Sequence, residues 1–146
     1  MMKFFTIGFT KKTAEYFFET LKNNDVKKIV DIRINNTSQL AGFAKGADLA
    51  YFAKAIANID YIHIKDFAPT KELLSDYQNK RIDWDEYTKV FRKLIESRDL
   101  LSKYNMADFS DACFLCSEET PEQCHRRLLV EYFKENNSDI QIIHLQ

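Results

Sequence analysis

Hydrophobic positions along this chain follow two periods, and the switches between them mark out its elements. Residues 3–9, K-F-F-T-I-G-F, are a short apolar run rich in β-formers and predict a first strand. Thr10 can cap a helix in which Ala14, Phe17, Phe18 and Leu21 share one face. Residues 28–34, K-I-V-D-I-R-I, predict a second strand buried on both sides, with Asp31 and Arg33 on one face because they lie two apart. A polar loop with glycines follows at 35–46, and helical spacing resumes over 47–57 through Leu49, Phe52, Ala53 and Ile56. Tyr61 to Ile64 predict a third strand, Phe67 and Pro69 a turn, and 71–78 a short helix. Asp83 and Glu86 have capping-box spacing at the head of a longer helix whose core face is Trp84, Tyr87, Phe91, Leu94 and Ile95. Residues 112–116 predict a fourth strand and 139–145 a fifth. Between these two, Thr120 as N-cap, Pro121 at the first position and Gln123 closing a capping box predict a helix anchored by Leu128, Leu129, Tyr132 and Phe133.

Strands alternating with helices favour a parallel sheet covered on both faces. The expected fold is a single α/β domain over 1–146, a three-layer α/β/α arrangement around a mainly parallel five-stranded sheet. Right-handed crossovers leave few layouts, and the order 3-2-1-4-5 is the one expected, with a switch point between the first and fourth strands.

Composition changes this picture little. The chain has 146 residues, 45% hydrophobic and 29% charged, enough for one domain with a real core. Three glycines and two prolines argue for regular elements and against a linker or a disordered segment. Charge excludes more. A formal net charge of -1 removes the basic excess that a nonspecific nucleic-acid binder uses to displace counterions, so nucleic acid would need a local patch. No run approaches the eighteen or so apolar residues of a membrane span. The opening M-M-K-F-F-T-I-G-F lacks the features of a secretory signal, so a cytoplasmic setting with three cysteines as thiols is expected.

The candidate chemistry crowds into 112–127, A-C-F-L-C-S-E-E-T-P-E-Q-C-H-R-R, where the fourth strand gives way to a helix. In an open parallel sheet ligands bind beyond the carboxyl ends of the strands. Those ends carry Gly8, Phe9 and Thr10, then Asp31 and Arg33, then Cys116, Ser117 and Glu118. The spacing leaves several roles open. Cys116 is a nucleophile activated by the helix terminus and by His125 or Arg126, or a small core thiol. Glu118 and His125 suit general acid–base work. Asp31 and Arg33 are a structural ion pair, or Arg33 holds a phosphate or carboxylate through two bonds. Gly8 lets a backbone or a ligand come close. Glu118, Glu119 and Glu122, or a bound anion, can offset His125, Arg126 and Arg127 at a helix N-terminus. Cys113 and Cys124 are expected to pack in the core, and Cys116, Glu118, His125 and Arg126 to face the cleft.

Cys116, Cys124 and His125 with His63 or Asp31 would make a zinc set, but C-x7-C-H is not a standard zinc spacing, and no metal is assigned. No G-x-G-x-x-G, Walker loop, G-x-S-x-G or H-E-x-x-H is present, so no cofactor is assigned either. Arg126 is ten residues after Cys116, which excludes the phosphatase spacing of five.

T-I-G-F-T at 6–10, V-D-I-R at 30–33, Y-I-H at 61–63 and C-S-E-E-T-P-E-Q-C-H-R at 116–126 together resemble the domain-of-unknown-function family 488. The resemblance runs along nearly the whole chain, and its last motif is the most specific. It implies Gly8, Asp31, Arg33, Cys116, Glu118, Cys124, His125 and Arg126 as signature positions. The loops N-N-T-S-Q after V-D-I-R and D-F-A-P after the third strand depart from the family's Pro and Ser-Arg, and from its L-G. The expected function is that of an enzyme or ligand-binding domain for a small anionic, phosphate-bearing or nucleotide ligand. Catalysis would rest on Cys116, Glu118 and His125, and binding on Gly8, Asp31, Arg33, Ser117 and Arg126. The alternatives are a nucleic-acid module gripping phosphates with Arg33 and Arg126, and an interaction domain whose C-S-E…C-H-R corner is structural.

Overall fold

The computed structural model describes residues 1–37, 42–118 and 120–146. Residues 38–41 of the long loop and Glu119 lie outside the described residues. Five parallel strands form the sheet: β1 (Met2–Gly8), β2 (Lys28–Asp31), β3 (Asp60–His63), β4 (Ala112–Cys116) and β5 (Ile140–His144). The helices are α1 (Ala14–Asn23), α2 (Gly46–Ala57), α3 (Lys71–Gln78), α4 (Trp84–Ser97), α5 (Leu100–Lys103) and α6 (His125–Asn136). No helix among the described residues is long and apolar enough to cross a membrane.

The α/β class and the parallel sheet are as expected, and the strand order is corrected. It runs β3-β2-β4-β1-β5, with β4 between β2 and β1. The crossover from β1 to β2 skips one position, and β4 later fills that gap, pairing with both neighbours. Hydrophobicity cannot reveal this, because every central strand of a sheet covered on both faces is apolar throughout.

Alternation along β4 distributes its side chains between two cores. Ala112, Phe114 and Cys116 join Phe4, Val30, Phe91, Leu129 and Phe133 on the α3–α6 face. Cys113 and Leu115 join Phe5, Ile7, Phe17, Phe18 and Leu49 on the α1–α2 face. Strands β1 and β2 therefore send the chain to one face, while β4 between them sends it to the other. Such a divergence opens a crevice at the carboxyl ends of the strands.

Two helix starts differ from expectation. The cap of α1 is Thr13, whose hydroxyl accepts from Tyr16 N. Thr10 instead ties β1 to the β4 turn, its amide (3.1 Å) and its hydroxyl both donating to the Ser117 carbonyl. Helix α6 begins at His125 with Cys124 as N-cap, not at Thr120. Residues 120–124 form a turn in which Cys124 N donates to Pro121 O at 3.3 Å. The Thr-Pro-x-Gln signature yields to a tertiary demand, since this turn carries Cys124 back over the end of β4. The capping of α4 is as expected in part: Asp83 accepts from Glu86 N at 2.9 Å.

Candidate functional site

The carboxyl end of β4 lies at the floor of a cleft of about 790 Å³. Its lining includes Arg33, Cys116, Ser117, Glu118, Cys124 and His125. The opposite wall is aromatic and comes from α3 and α4. Trp84 and Tyr87 are stacked with ring centroids 5.1 Å apart, and Tyr77 leans on both at 5.6 and 5.2 Å. Lys80 and Arg81 also border it.

Three donor atoms meet at the floor. Cys124 Sγ donates to Cys116 Sγ at 2.9 Å, and Cys116 Sγ lies 3.6 Å from His125 Nδ1. His125 Nε2 is fixed by the Ile32 carbonyl at 2.8 Å, and the Phe91 ring meets the imidazole edge-on. Because the carbonyl can only accept, Nε2 carries a proton, and Nδ1 is the nitrogen left to face the thiol. The hydrogen bond from Cys124 holds the Cys116 thiol well below its ordinary range against the opposing effect of burial, with His125 and the Glu118 amide adding to it. Burial and the Cys116 charge push the Cys124 thiol well above its ordinary range. Burial opposes a charged His125 most strongly, yet the charge and hydrogen bond of Cys116 and the Ile32 carbonyl together raise the imidazole pKa. Both shifts favour the ionised forms, thiolate on Cys116 and imidazolium on His125, which would pair a nucleophile with a proton donor in one contact. The Glu118 side chain is exposed on the whole, and its partial burial together with the Cys116 charge raises its pKa, with Arg126 and His125 opposing.

Arg33 lies just beyond the neighbouring β2, which ends at Asp31 and not at Ile34 as expected. Its Nε and Nη2 grip the two Asp31 oxygens at 2.8 and 2.7 Å, and Nη2 also donates to the Ala44 carbonyl at 2.7 Å. Tyr61 OH donates to Asp31 at 2.6 Å, and burial followed by this bond keeps the phenol protonated. The Arg33 carbonyl meets His63 Nε2 at 2.6 Å, and its guanidinium lies 5.2 Å from the centre of the Phe9 ring. Burial works against the Arg33 charge, but Asp31 overcomes it and holds the pKa above its ordinary value. Nη1 alone is buried with no hydrogen-bond partner.

Arg126 is placed differently from expectation. It is fully buried and does not line the cleft. Its Nη1 donates to the Glu118 carbonyl at 2.7 Å and reaches Cys124 Sγ at 3.5 Å. Gly8 packs under the same turn: a Cβ there would lie 1.5 Å from the Glu118 oxygen and 2.9 Å from Arg126 Nη1. The close approach expected at Gly8 is thus made by backbone. Cys113 is core as expected, with burial raising its pKa, whereas Cys124 is both core and cleft floor.

Cys116, Cys124 and His125 offer three ligand atoms within 4.8 Å of one another. They would fill three of the four positions of a tetrahedral ion. Two sulfurs each about 2.3 Å from a tetrahedral ion stand about 3.8 Å apart, against 2.9 Å here. The fourth donors expected from sequence are engaged elsewhere, His63 with the Arg33 carbonyl and Asp31 with Arg33 and Tyr61. Two features escaped sequence reasoning. Trp84 and Tyr87 read as core face and Tyr77 drew no role; only a shared wall in three dimensions marks them as lining. Tyr61 gave no sign that it would brace Asp31 from the next strand.

Neither a curated protein nor a solved structure matches the chain. The family model described as "Domain of unknown function DUF488" matches residues 13–133, so the chain belongs to that family.

Proposed function

We propose that the cleft at the carboxyl edge of the sheet binds a small anionic ligand and that Cys116 acts on it as a nucleophile. Arg33 takes the anion, a phosphate ester or carboxylate, through the nitrogen that Asp31 and Ala44 leave free. His125 holds the thiolate and returns a proton to the leaving group, and Glu118 serves as a second acid at the mouth. The aromatic wall favours a ligand with a flat ring, as in a nucleotide. One observation carries this reading: the buried, unpartnered Arg33 Nη1 belongs to a side chain lining the same cleft as the Cys116–His125 contact. A buried donor left unsatisfied loses the free energy of a hydrogen bond, and an anionic ligand would restore it.

The polymer-binding alternative relied on Arg33 and Arg126 together, and Arg126 is sealed from solvent. The corner reading keeps support for one half of the motif, since Arg126 and Gly8 brace the Glu118 backbone. The test is protection of Cys116 from iodoacetamide by inorganic phosphate and by nucleoside monophosphates. Protection should saturate and should weaken at least tenfold in Arg33→Lys, which keeps a charge against Asp31 but lacks the second arm. If none of these ligands, nor a panel of carboxylates, changes the alkylation rate, the proposal fails.

A further inference from the structure

We infer that Cys116 and Cys124 form a peroxide-responsive dithiol, an oxidation site that reversibly withdraws the nucleophile. The inference rests on the reading of Cys116 as a thiolate facing the cleft. Its own ground is geometric. Both thiols are free, and their sulfurs stand 2.9 Å apart, inside the contact distance of two unbonded sulfurs. Both belong to the lining of an open cleft, so a small oxidant has a route to them. Cys124 is the N-cap of α6 at the end of the 120–124 turn, and Cys116 is the last residue of β4. The bond would therefore join a turn to a strand end, where one sulfur can swing without unpacking a helix.

The chemistry balances with a hydroperoxide as oxidant. The Cys116 thiolate attacks one peroxide oxygen; an S–O bond forms and the O–O bond breaks. The leaving alkoxide or hydroxide takes the proton that His125 carries at Nδ1. Cys116 is then a sulfenic acid and His125 is neutral. Cys124 gives its proton toward the departing oxygen and attacks the Cys116 sulfur. The S–S bond forms, the S–O bond breaks, and water leaves. Two thiols have been oxidised to a disulfide, and one hydroperoxide has been reduced to an alcohol and water. Exchange with a dithiol reductant restores both thiols. The two cysteines divide these parts as a nucleophile and a resolving thiol do. Cys116 has the imidazole beside it, and Cys124 donates its hydrogen to Cys116. Cys113 faces the other core and stays out of reach, an internal control.

The experiment treats the full chain with hydrogen peroxide and follows it by intact and peptide mass spectrometry, with a parallel measurement of iodoacetamide trapping at Cys116. The expected result is loss of two hydrogens, a Cys116–Cys124 peptide link, loss of trapping at Cys116, and full recovery with dithiothreitol. In Cys124→Ser, folded by circular dichroism, Cys116 should instead gain oxygen and not recover fully. If wild-type Cys116 traps iodoacetamide rapidly yet gains oxygen with Cys124 still free, the dithiol is overturned and the thiolate reading stands. Slow trapping at neutral pH together with no oxidation overturns both. Stoichiometric zinc in the purified protein that shields both sulfurs from oxidation also overturns the dithiol.

Discussion

Arg33 and Arg126 are both nearly sealed from solvent, 5% and 0% exposed, and they flank the same strand end. Their surroundings differ. Arg33 lines the cleft and has a carboxylate partner held in a two-bond grip, a carbonyl, an aromatic face and one unpartnered nitrogen. Among the described residues Arg126 forms no ion pair; it donates to a backbone carbonyl and a sulfur, with Nε and Nη2 unpartnered. The first arrangement neutralises a charge and leaves one nitrogen unpartnered. The second uses a charged group to hold a turn. The comparison teaches that a motif arginine's role depends on where its hydrogen bonds end, and C-H-R sequences conceal that.

Removing Arg33 should have the largest effect. Arg33→Met leaves Asp31, fully buried, with only the Tyr61 hydroxyl and the residue 33 amide as donors. Breaking one side of a buried pair costs about 3–5 kcal/mol. Urea unfolding measures this, and Asp31→Asn in the same chain should recover part of it by removing the orphaned charge. A loss below about 1 kcal/mol would mean the pair is not closed as described.

Gly8→Ala comes next, and it tests the Arg126 side. The new methyl would overlap the Glu118 carbonyl at 1.5 Å, and that atom is backbone. The 117–118 turn must lift, at a cost of about 3 kcal/mol, and the Arg126 bond should break with it. Arg126→Met should cost less, about 1–3 kcal/mol, because it frees one carbonyl and leaves no charge behind. If Arg126→Met proved as severe as Arg33→Met, the contrast between the two arginines would collapse.

The strand ends that hold these groups were legible in sequence, and their neighbours were not. Asp31 and Arg33 stand out because charges two apart interrupt an apolar strand and must satisfy one another. Cys116, Glu118 and His125 stand out because reactive types cluster where a strand becomes a helix. Arg126 looked like their companion because its turn was read as helix from Thr120. With α6 starting at His125, its side chain enters the core instead. The position of β4 between β2 and β1 depends on crossovers between distant segments, which leave no local pattern. The aromatic wall was hidden for a related reason. Residues that line a cleft and residues that line a core share one helical period, and only the missing neighbour separates them.

Trp84→Ala probes that wall. Trp84 is partly buried and packs on Tyr77 and Tyr87, so some stability is lost. The informative readout is ligand class. Protection of Cys116 by a nucleoside monophosphate should weaken about tenfold, since stacking contributes about 1–3 kcal/mol per base, while protection by inorganic phosphate should not change. Equal loss for both ligands would place the anion, not the ring, against this wall.

The smallest expected effect concerns which basic group governs Cys116. His125 Nδ1 lies 3.6 Å from its sulfur, whereas Arg126 bonds to Cys124. The lowered Cys116 pKa stabilises the fold above the unfolded thiol value and loses that contribution as pH falls through the folded pKa. The raised His125 pKa works in the other direction: its contribution is full below about 6.5 and is lost as pH rises through the folded value. Between these limits the pair is ionised, so trapping of Cys116 should follow a flatter pH profile near neutrality than an ordinary thiol, which gains about tenfold per unit below its pKa. His125→Gln should steepen the profile, with the Cys124 hydrogen bond keeping part of the lowering. Arg126→Met should keep the flatter one, because its charge reaches Cys116 only through Cys124. A steep profile in Arg126→Met with a flat one in His125→Gln would reverse the assignment and make the buried arginine the thiolate's partner.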